Sequence, residues 1–327
     1  MEKIKVCVVG YGNVGKGVKE AVKRNLDMEL VAIITKRPRE VKREVRDVCV
    51  FPYEKYRTLQ KEISVDVAIL CGASKDLPVE GPKFSERFNT VDGFDIHEDI
   101  PKYFGEMDFS ARRGGNVSVI SAGWDPGIFS VVRVLGSAFV PLSKNYTFWG
   151  PGISLGHSAA AKRVEGVKDA RAYTIPIKEA IDKIRSGERL NFSKREMHKR
   201  LVYIVAEEDA DLEDIREKIV NMPKYYDEYD TEVKFIDHEE MNRRYSSLSH
   251  RGFVITSGLT SEGNKVILEY LCEMDSNPEF TASVLLAYAR AAHRLKKEGR
   301  KGAFTSLDIP ASYLHCNSVD MLRKDFL

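Results

Sequence analysis

The chain has 327 residues, more than a single ordinary hydrophobic core organises, so we expect two domains. Hydrophobic residues make up 43% of the chain and charged residues 31%, a composition typical of a soluble globular protein. The 51 basic and 49 acidic residues leave a formal net charge of +2, which excludes a global attraction to nucleic acid or to anionic membranes.

The first part of the chain alternates short apolar strands with helices. Residues 4–9 form a nearly continuous apolar run, as in a strand buried on both faces, and residues 13–24 carry valines at helical spacing. Further strands are predicted at 30–34, 65–70, 90–91 and 117–120, and the charged stretch 36–46 is predicted to be a solvated loop or helix. This alternation predicts a parallel sheet with right-handed crossovers. We therefore predict an α/β domain of the Rossmann type over residues 1–121.

The pattern changes after residue 121. Strands are predicted at 146–149, 172–177, 201–206, 232–236, 253–256 and 266–271, with helices at 178–186 and 211–221. Several of these strands alternate apolar and polar side chains, which favours sheets with one solvated face. Residues 122–277 are therefore predicted to be an α+β domain for substrate binding and dimerisation. A long helix begins at Asn277-Pro278 and runs to about residue 298, and we expect residues 278–327 to pack against the first domain.

A glycine-rich turn follows the first strand. Its sequence, Gly10-Tyr11-Gly12-Asn13-Val14-Gly15, has the G-x-G-x-x-G spacing and stands between a buried strand and a helix. The three glycines serve the tight turn, the approach of a pyrophosphate to the backbone, and close packing of helix on strand. The turn predicts a dinucleotide site, the alternative being a structural turn without a ligand.

The second strand ends in Thr35-Lys36-Arg37. Proteins that bind NAD carry an acidic residue about 20 residues after the glycine turn, where it accepts a hydrogen bond from the ribose 2′-hydroxyl. Here a hydroxyl and two cations stand instead, and they suit a dianionic 2′-phosphate. This predicts NADP as the cofactor. In the alternative interpretation, Lys36 and Arg37 simply begin the charged stretch.

Acidic side chains follow two predicted strands: Asp92 and Asp95 follow one, and Trp124-Asp125 follows another. In an open parallel sheet, ligands bind at the carboxyl ends of the strands. Two carboxylates beside a nicotinamide would hold an ammonium group and accept its proton, as the oxidation of an amine requires. The alternative is that these aspartates cap turns and that Trp124 is a packed aromatic residue.

Several segments together resemble meso-diaminopimelate dehydrogenases, in order along essentially the whole chain. Besides the glycine turn, they are Thr90-Val-Asp-Gly-Phe-Asp95, Gly123-Trp-Asp-Pro-Gly127, Thr147-Phe-Trp-Gly-Pro-Gly152, Gly156-His-Ser158, His198-Lys-Arg200, His250, Asn277-Pro-Glu-Phe-Thr-Ala-Ser283 and Arg290-Ala-Ala-His293. The resemblance implies a homodimer that converts meso-2,6-diaminopimelate, NADP⁺ and water reversibly into L-2-amino-6-oxopimelate, ammonia and NADPH. It places the enzyme in the biosynthesis of diaminopimelate and lysine.

The resemblance also assigns site residues. Contacts to the D-centre fall on Asp95, Trp124 and Asp125, with Trp149 and His157 lining the same pocket, and Asp95, Asp125 and His157 as catalytic groups. Contacts to the distal end fall on Thr174, Arg200, His250 and Asn277, and further cofactor contacts fall on Cys71, Gly72, Ala73 and Ser74. Arg200 suits a bidentate carboxylate clamp, which would place only one of two related centres at the nicotinamide.

Departures from the family pattern leave the strictness for the substrate open. Thr35-Lys36 stands where the family often has Ser-Arg, and Ser249-His250-Arg251-Gly252 replaces a Pro-His-Gly-Gly-like stretch. One alternative is an NADP-dependent D-amino-acid dehydrogenase of broader specificity that does not need the distal clamp. Another is a non-catalytic NADP-sensing protein, although the chain shows neither a partner-binding module nor a basic DNA-reading helix.

The five cysteines are scattered and never spaced as C-x-x-C. This argues against a disulfide framework and a structural zinc site, and it favours a reducing compartment. The N-terminus runs directly into a strand and has no signal-peptide layout. We therefore expect a cytoplasmic protein without a metal, with no nucleic-acid or membrane partner.

Overall fold

The computed structural model describes residues 2–327. The chain divides into two compact units, one comprising Met1–Val131 with Pro278–Leu327 and the other Val132–Asn277. The predicted boundary after residue 121 lies in the loop that follows the strand Val117–Val119, whereas this division lies within a helix, Ile128–Phe139.

The structure contains fourteen strands within the described residues. They are β1 Ile4–Val9, β2 Met28–Thr35, β3 Cys49–Pro52, β4 Val67–Leu70, β5 Asn89–Asp92, β6 Val117–Val119, β7 Lys144–Trp149, β8 Gly152–Ile153, β9 Val167–Pro176, β10 His198–Ala206, β11 Asp230–Phe235, β12 His250–Ser261, β13 Asn264–Met274 and β14 Gly302–Phe304. Each predicted strand overlaps an observed one. The strands β3, β8 and β14 were not predicted, because each has at most four residues and too little periodicity to be recognised.

The helices are α1 Asn13–Val22, α2 Pro38–Glu44, α3 Leu77–Ser85, α4 Ile100–Gly114, α5 Ile128–Phe139, α6 Leu155–Ala161, α7 Lys178–Arg185, α8 Lys194–Met197, α9 Leu212–Val220, α10 His238–Arg244, α11 Asn277–Lys297, α12 Ala311–Leu314 and α13 Val319–Phe326. The charged stretch 36–46 contains α2. The two helices predicted in the second unit, at 178–186 and 211–221, are observed as α7 and α9, and α6, α8 and α10, which were not predicted, also form there. These three helices have seven residues or fewer, so their apolar periodicity is short.

The first unit is built on a seven-stranded parallel sheet with the order β14-β6-β5-β4-β1-β2-β3. Side chains of β1 alternate between two hydrophobic cores: Val6 and Val8 face the core that includes α11, and Cys7 and Val9 face the core that includes α3 and α4. The predicted Rossmann-type sheet is confirmed. Parallel pairing brings the carboxyl ends of β1, β2, β4, β5 and β6 to one edge of the sheet.

The C-terminal segment contributes a strand and a helix to this unit. Strand β14 extends the sheet by pairing with β6, and Arg290 of α11 forms a bidentate ion pair with Asp27, with N–O distances of 2.6 and 2.8 Å. The Arg290 side chain is 4% exposed. A buried, doubly hydrogen-bonded pair fixes α11 with directional contacts as well as apolar ones.

The second unit contains two sheets, with the orders β11-β10-β9-β8 and β13-β12-β7. The first sheet is mixed, because β10 pairs in parallel with β11 and antiparallel with β9. One of its faces is covered by α9, whose Ile215 and Ile219 pack against Val202 and Ile204. The predicted α+β architecture is confirmed. Among residues 2–327, no helix is long and apolar enough to cross a membrane.

Candidate active site

The glycine turn between β1 and α1 has the geometry of a phosphate-binding turn. Gly10 adopts a φ of +92°, a conformation that favours glycine. A Cβ at position 15 would lie 2.2 Å from the Gly10 carbonyl oxygen, so only glycine allows this close packing. At Gly12 a Cβ would meet no atom within 4 Å, which leaves open space beside the backbone. The turn therefore combines a tight backbone with room for a ligand at the N-terminus of α1.

A cavity of about 200 Å³ lies beside this turn. It is lined by Val9, Gly10, Tyr11, Gly12, Thr35, Lys36, Arg37, Tyr53, Gly72, Asp76 and Glu80. Thr35 is buried, and its hydroxyl accepts a hydrogen bond of 3.1 Å from the backbone N–H of Arg37. The predicted cofactor segments at residues 10–15 and 35–37 thus share a cavity with Gly72 of the segment 71–74. Burial raises the pKa of the neighbouring Cys71 to about 12, so its thiol is neutral at physiological pH.

Asp92 is fully buried at the end of β5 and connects two loops. Its carboxylate accepts hydrogen bonds from the backbone N–H groups of Phe94 (3.0 Å) and Ser121 (3.2 Å), and from the Tyr103 hydroxyl (2.8 Å). Burial raises the pKa of Asp92 to about 6, and the hydrogen bonds it accepts oppose that rise. Asp92 therefore holds the loop of Asp95 to the loop of Asp125.

The other two aspartates are more accessible. Asp95 is exposed and Asp125 is half-buried, each in the loop that follows a strand. The backbone N–H of Asp95 donates to the Ser74 hydroxyl at 3.3 Å, which connects this loop to the predicted cofactor segment 71–74. Trp124 is 8% exposed and packs edge-on against Phe129, with ring centroids 5.1 Å apart. The first unit thus carries Asp95, Trp124 and Asp125 on loops at the carboxyl ends of its strands.

In the second unit, Arg200 is a buried cation. It stands opposite Thr174 in the antiparallel register of β9 and β10, and its guanidinium donates a hydrogen bond to the Thr174 hydroxyl. Arg200 is 6% exposed, its Nε has no hydrogen-bond partner, and no acidic side chain of residues 2–327 forms an ion pair with it. A buried charge without a counterion is costly, so this geometry favours an anionic ligand.

Two histidines near Arg200 are held neutral. Burial, and then the charge of Arg200, lowers the pKa of His157 to about 3. The same two causes lower the pKa of His198 to about 3. His157 Nδ1 lies 2.8 Å from the Ser154 hydroxyl, whereas its Nε2 is buried without a hydrogen-bond partner in the described part of the chain. At neutral pH His157 therefore offers a neutral imidazole, with a hydrogen-bonding atom still available.

His198 and His250 are positioned by backbone groups. His198 Nε2 accepts the backbone N–H of Trp149 at 3.0 Å, and the two rings stack with centroids 5.5 Å apart. His250 Nδ1 lies 2.8 Å from the Arg251 carbonyl oxygen, which requires that nitrogen to carry the proton. Burial is the main reason why the pKa of His250 is lowered. A Cβ at Gly152 would lie 2.8 Å from His250, so the strand that pairs with Thr174 also contacts this histidine.

A group of tyrosines beside Arg200 was missed by the sequence interpretation. The Tyr229 ring lies 4.2 Å from the Arg200 guanidinium carbon, and the Tyr226 hydroxyl donates to the His157 carbonyl oxygen at 2.6 Å. The rings of Tyr225, Tyr226 and Tyr229 all contact the His157 ring edge-on. The only sequence feature that could have indicated this group is the close spacing of its tyrosines just before β11.

The structure thus brings the predicted residues together in two groups. The first unit carries Asp95, Trp124 and Asp125 on its loops. The second unit gathers Trp149, His157, Thr174, Arg200 and His250. Asn277 is the first residue of α11, and its backbone N–H donates to the Leu248 carbonyl oxygen at 3.1 Å. No cluster of three or more potential metal-binding side chains occurs within residues 2–327.

Comparison with known proteins identifies the family. The chain is 48% identical to the meso-diaminopimelate D-dehydrogenase of Lysinibacillus sphaericus over 328 residues, with all of both chains covered. The chain belongs to the diaminopimelate dehydrogenase family. Residues 123–276 also match the diaminopimelic acid dehydrogenase C-terminal domain. The resemblance stated from the sequence is confirmed, and with it the assignment to oxidoreductases that act on amino groups.

Two solved structures of the family resemble this one throughout. The diaminopimelate dehydrogenase of C. glutamicum, in complex with diaminopimelate, has a TM-score of 0.93 and 39% identity and covers 100% of both chains. An engineered D-amino acid dehydrogenase bound to NADP⁺ has a TM-score of 0.89 and 38% identity, covering 99% of this chain and 100% of that one. Both support the fold described above.

Proposed function

We propose that this member of the diaminopimelate dehydrogenase family catalyses the reversible, NADP-dependent oxidative deamination of meso-2,6-diaminopimelate at its D-centre. The products are L-2-amino-6-oxopimelate and ammonia. The observation that carries the proposal is Arg200, a buried cation without an acidic partner in the described chain, hydrogen-bonded to Thr174. A second carboxylate distinguishes this substrate from simple D-amino acids, and Arg200 is suited to bind it.

The cavity beside the glycine turn suits NADP. Gly12 leaves open space at the N-terminus of α1 for a pyrophosphate, and Lys36 and Arg37 offer cations for a 2′-phosphate. The buried Tyr53 hydroxyl, beside the Glu80 carboxylate and without a well-formed hydrogen bond within residues 2–327, adds a polar group for the nucleotide. NADP⁺ held in this cavity would supply the hydride acceptor for oxidation of the D-centre.

The aspartates are proposed to act at the D-centre. Asp95 and Asp125 would bind the ammonium group and accept its proton, because a protonated nitrogen has no lone pair with which to form an imine. Trp124 would pack against the same end of the substrate. Asp92, which is buried and bonded to both loops, would position these two carboxylates without touching the substrate.

The residues of the second unit are proposed to hold the rest of the substrate. Arg200, Thr174, His250 and Asn277 would bind the distal carboxylate and amino group, and they would thereby exclude the wrong stereocentre from the reaction. Trp149 and His157 would line the pocket. Because the pKa of His157 is about 3, we propose that it donates or accepts a hydrogen bond as a neutral imidazole.

A spectrophotometric screen tests the function. The stereoisomers of diaminopimelate and a set of simple D-amino acids are each supplied with NADP⁺ and with NAD⁺, and absorbance of the reduced cofactor is followed. We expect rapid reduction of NADP⁺ with the meso isomer alone. Comparable rates with simple D-amino acids would instead support the broader D-amino-acid dehydrogenase, and no reduction with any substrate would contradict catalysis.

A homodimer in the cytoplasm forms part of the proposal. Val134, Leu135 and Phe139 of α5 are 51%, 45% and 66% exposed, and α5 packs on Thr256, which pairs with the exposed Leu268 of β13. We propose that a second copy covers this apolar surface. Light scattering should give the mass of a dimer, reduced to that of a monomer by Leu135→Asp but not by Leu26→Asp, which alters an exposed leucine of the first unit.

A further inference from the structure

A carboxylate lies in the nucleotide cavity where an NADP-binding protein needs positive charge. Glu80, in the first turn of α3, forms an ion pair with Lys36, with an N–O distance of 2.5 Å. The Glu80 side chain is 17% exposed and that of Lys36 is 62% exposed. The carboxylate is therefore the fixed partner of this pair, and the lysine is the one that can move.

The charges that line this cavity are balanced. Lys36 and Arg37 contribute two cations, and Asp76 and Glu80 contribute two anions. A dianionic 2′-phosphate must compete with Glu80 for Lys36 and is repelled by the carboxylate at close range. A ribose 2′-hydroxyl, in contrast, can donate a hydrogen bond to the same carboxylate.

Tyr53 indicates that the ligand reaches this wall of the cavity. Its ring lies 5.4 Å from the Lys36 ammonium, and its buried hydroxyl lies beside the Glu80 carboxylate without a well-formed hydrogen bond to any residue of 2–327. A buried, unsatisfied hydroxyl next to a pair of opposite charges is a group that a ribose or phosphate oxygen would complete.

We infer that Glu80 is a determinant of cofactor specificity: it takes the place of the acidic residue missing after β2, binds the ribose hydroxyl of NAD, and weakens the preference for NADP. When NADP binds, Lys36 leaves Glu80 for the 2′-phosphate. The inference rests on the proposed dehydrogenase function and names a residue outside the segments predicted from the sequence.

The test compares Glu80→Gln with Glu40→Gln. Glutamine keeps the size of the Glu80 side chain and removes its charge. Glu40 pairs with Arg37 at 3.0 Å on the surface, has a side chain 64% exposed, and does not line the cavity. Both variants therefore remove one negative charge beside a cation of the same segment, but only the first removes it from the cavity.

Two readouts are measured for each variant. The first is the ratio of kcat/KM for NADP⁺ to that for NAD⁺, and the second is the ratio of dissociation constants for NADPH and NADH, obtained by fluorescence titration without substrate. We expect Glu80→Gln to raise the preference for NADP about tenfold in both, because a like charge is removed from the phosphate site. Glu40→Gln should change either ratio by less than about twofold, as for an exposed ion pair.

The outcomes separate this inference from the proposed function. An unchanged or lower NADP preference in Glu80→Gln, or an equal rise in Glu40→Gln, would overturn the role of Glu80. If Glu80→Gln shifts the ratio of NADPH and NADH dissociation constants but the protein oxidises no amino acid, the role of Glu80 is supported and the proposed dehydrogenase function is contradicted. Lys36→Gln is a further check, since it should weaken NADPH binding much more than NADH binding.

Discussion

The two groups of candidate residues are built differently. In the first unit, Asp95 and Asp125 lie on loops held by backbone hydrogen bonds to one buried side chain, Asp92. In the second unit, Arg200 is held by side chains, with the Thr174 hydroxyl on one strand and the Tyr229 ring from the segment before β11. Backbone anchoring tolerates many neighbouring side chains, whereas an arginine held by side chains depends on each of them. We therefore expect turnover to depend on the acidic loops and substrate affinity to depend on the arginine pocket.

The largest effect is expected from Asp125→Asn. An amide cannot accept the ammonium proton, so kcat for meso-diaminopimelate should fall about 100- to 10,000-fold, the usual contribution of a general base. KM should stay within a few-fold of the original value. Steady-state kinetics at saturating NADP⁺ measure both. A rise in KM with kcat preserved would show that the two ends of the substrate are assigned the wrong way round.

Asp92→Asn probes how the acidic loops are anchored. The folded-state pKa of Asp92, about 6, is raised above the ordinary value of 3.8, so its contribution to stability is full below pH 3.8 and is lost as the pH rises through about 6. The loss amounts to about 3 kcal/mol, and asparagine, which does not ionise, avoids it. The difference in free energy of unfolding between the variant and the original protein should therefore shift in favour of the variant as the pH rises from 4 to 7. Urea unfolding across this range measures the gain, and a difference independent of pH would contradict it.

Arg200→Ala should act mainly on affinity. The loss of charge-assisted hydrogen bonds to the distal carboxylate should raise KM for meso-diaminopimelate about 100-fold, with a smaller change in kcat. Lys199→Ala is the matched control, because Lys199 is the adjacent residue of β10 and is exposed. Steady-state kinetics give KM for both variants. An equal rise in KM for the two would mean that the substrate is attracted by positive charge in general and not by the buried Arg200.

The smallest effect is expected at Tyr229. Tyr229→Leu removes the ring beside Arg200 and should raise KM about fivefold, since a cation–π contact contributes about 1 kcal/mol. Tyr229→Phe keeps the ring and should stay within about twofold of the original KM. If both variants behave alike, the ring does not position Arg200, and the arginine pocket depends less on its side-chain contacts than the acidic loops depend on Asp92.

Local sequence was sufficient for the first unit. The apolar run before Gly10 and the spacing of the three glycines predict a buried strand, a tight turn and a helix, because each depends on residues close together in the chain. The positions of Asp95 and Asp125 after strands followed from the same pattern. What could not be predicted was that Asp92, in the same motif, is buried and bonds to Ser121, since this depends on how two loops pack.

The arginine pocket was predicted only by resemblance. Arg200 and Thr174 are 26 residues apart in the chain and meet through the register of β9 and β10. Short strand patterns predict that strands exist but do not predict their register or partners. Tyr229 was missed for the same reason, as nothing in its neighbours indicates that its ring lies beside Arg200.

The sequence alone therefore determined the parallel sheet of the first unit, the dinucleotide turn and the order of the strands along the chain. These features depend on periodicity and turn chemistry, which are local properties. Only the tertiary structure decided that Glu80 meets Lys36, that Asp92 is buried, and that Arg200 has aromatic and hydroxyl partners but no acidic partner among residues 2–327. Such contacts join residues far apart in the chain, and long-range packing, which no local pattern encodes, sets them.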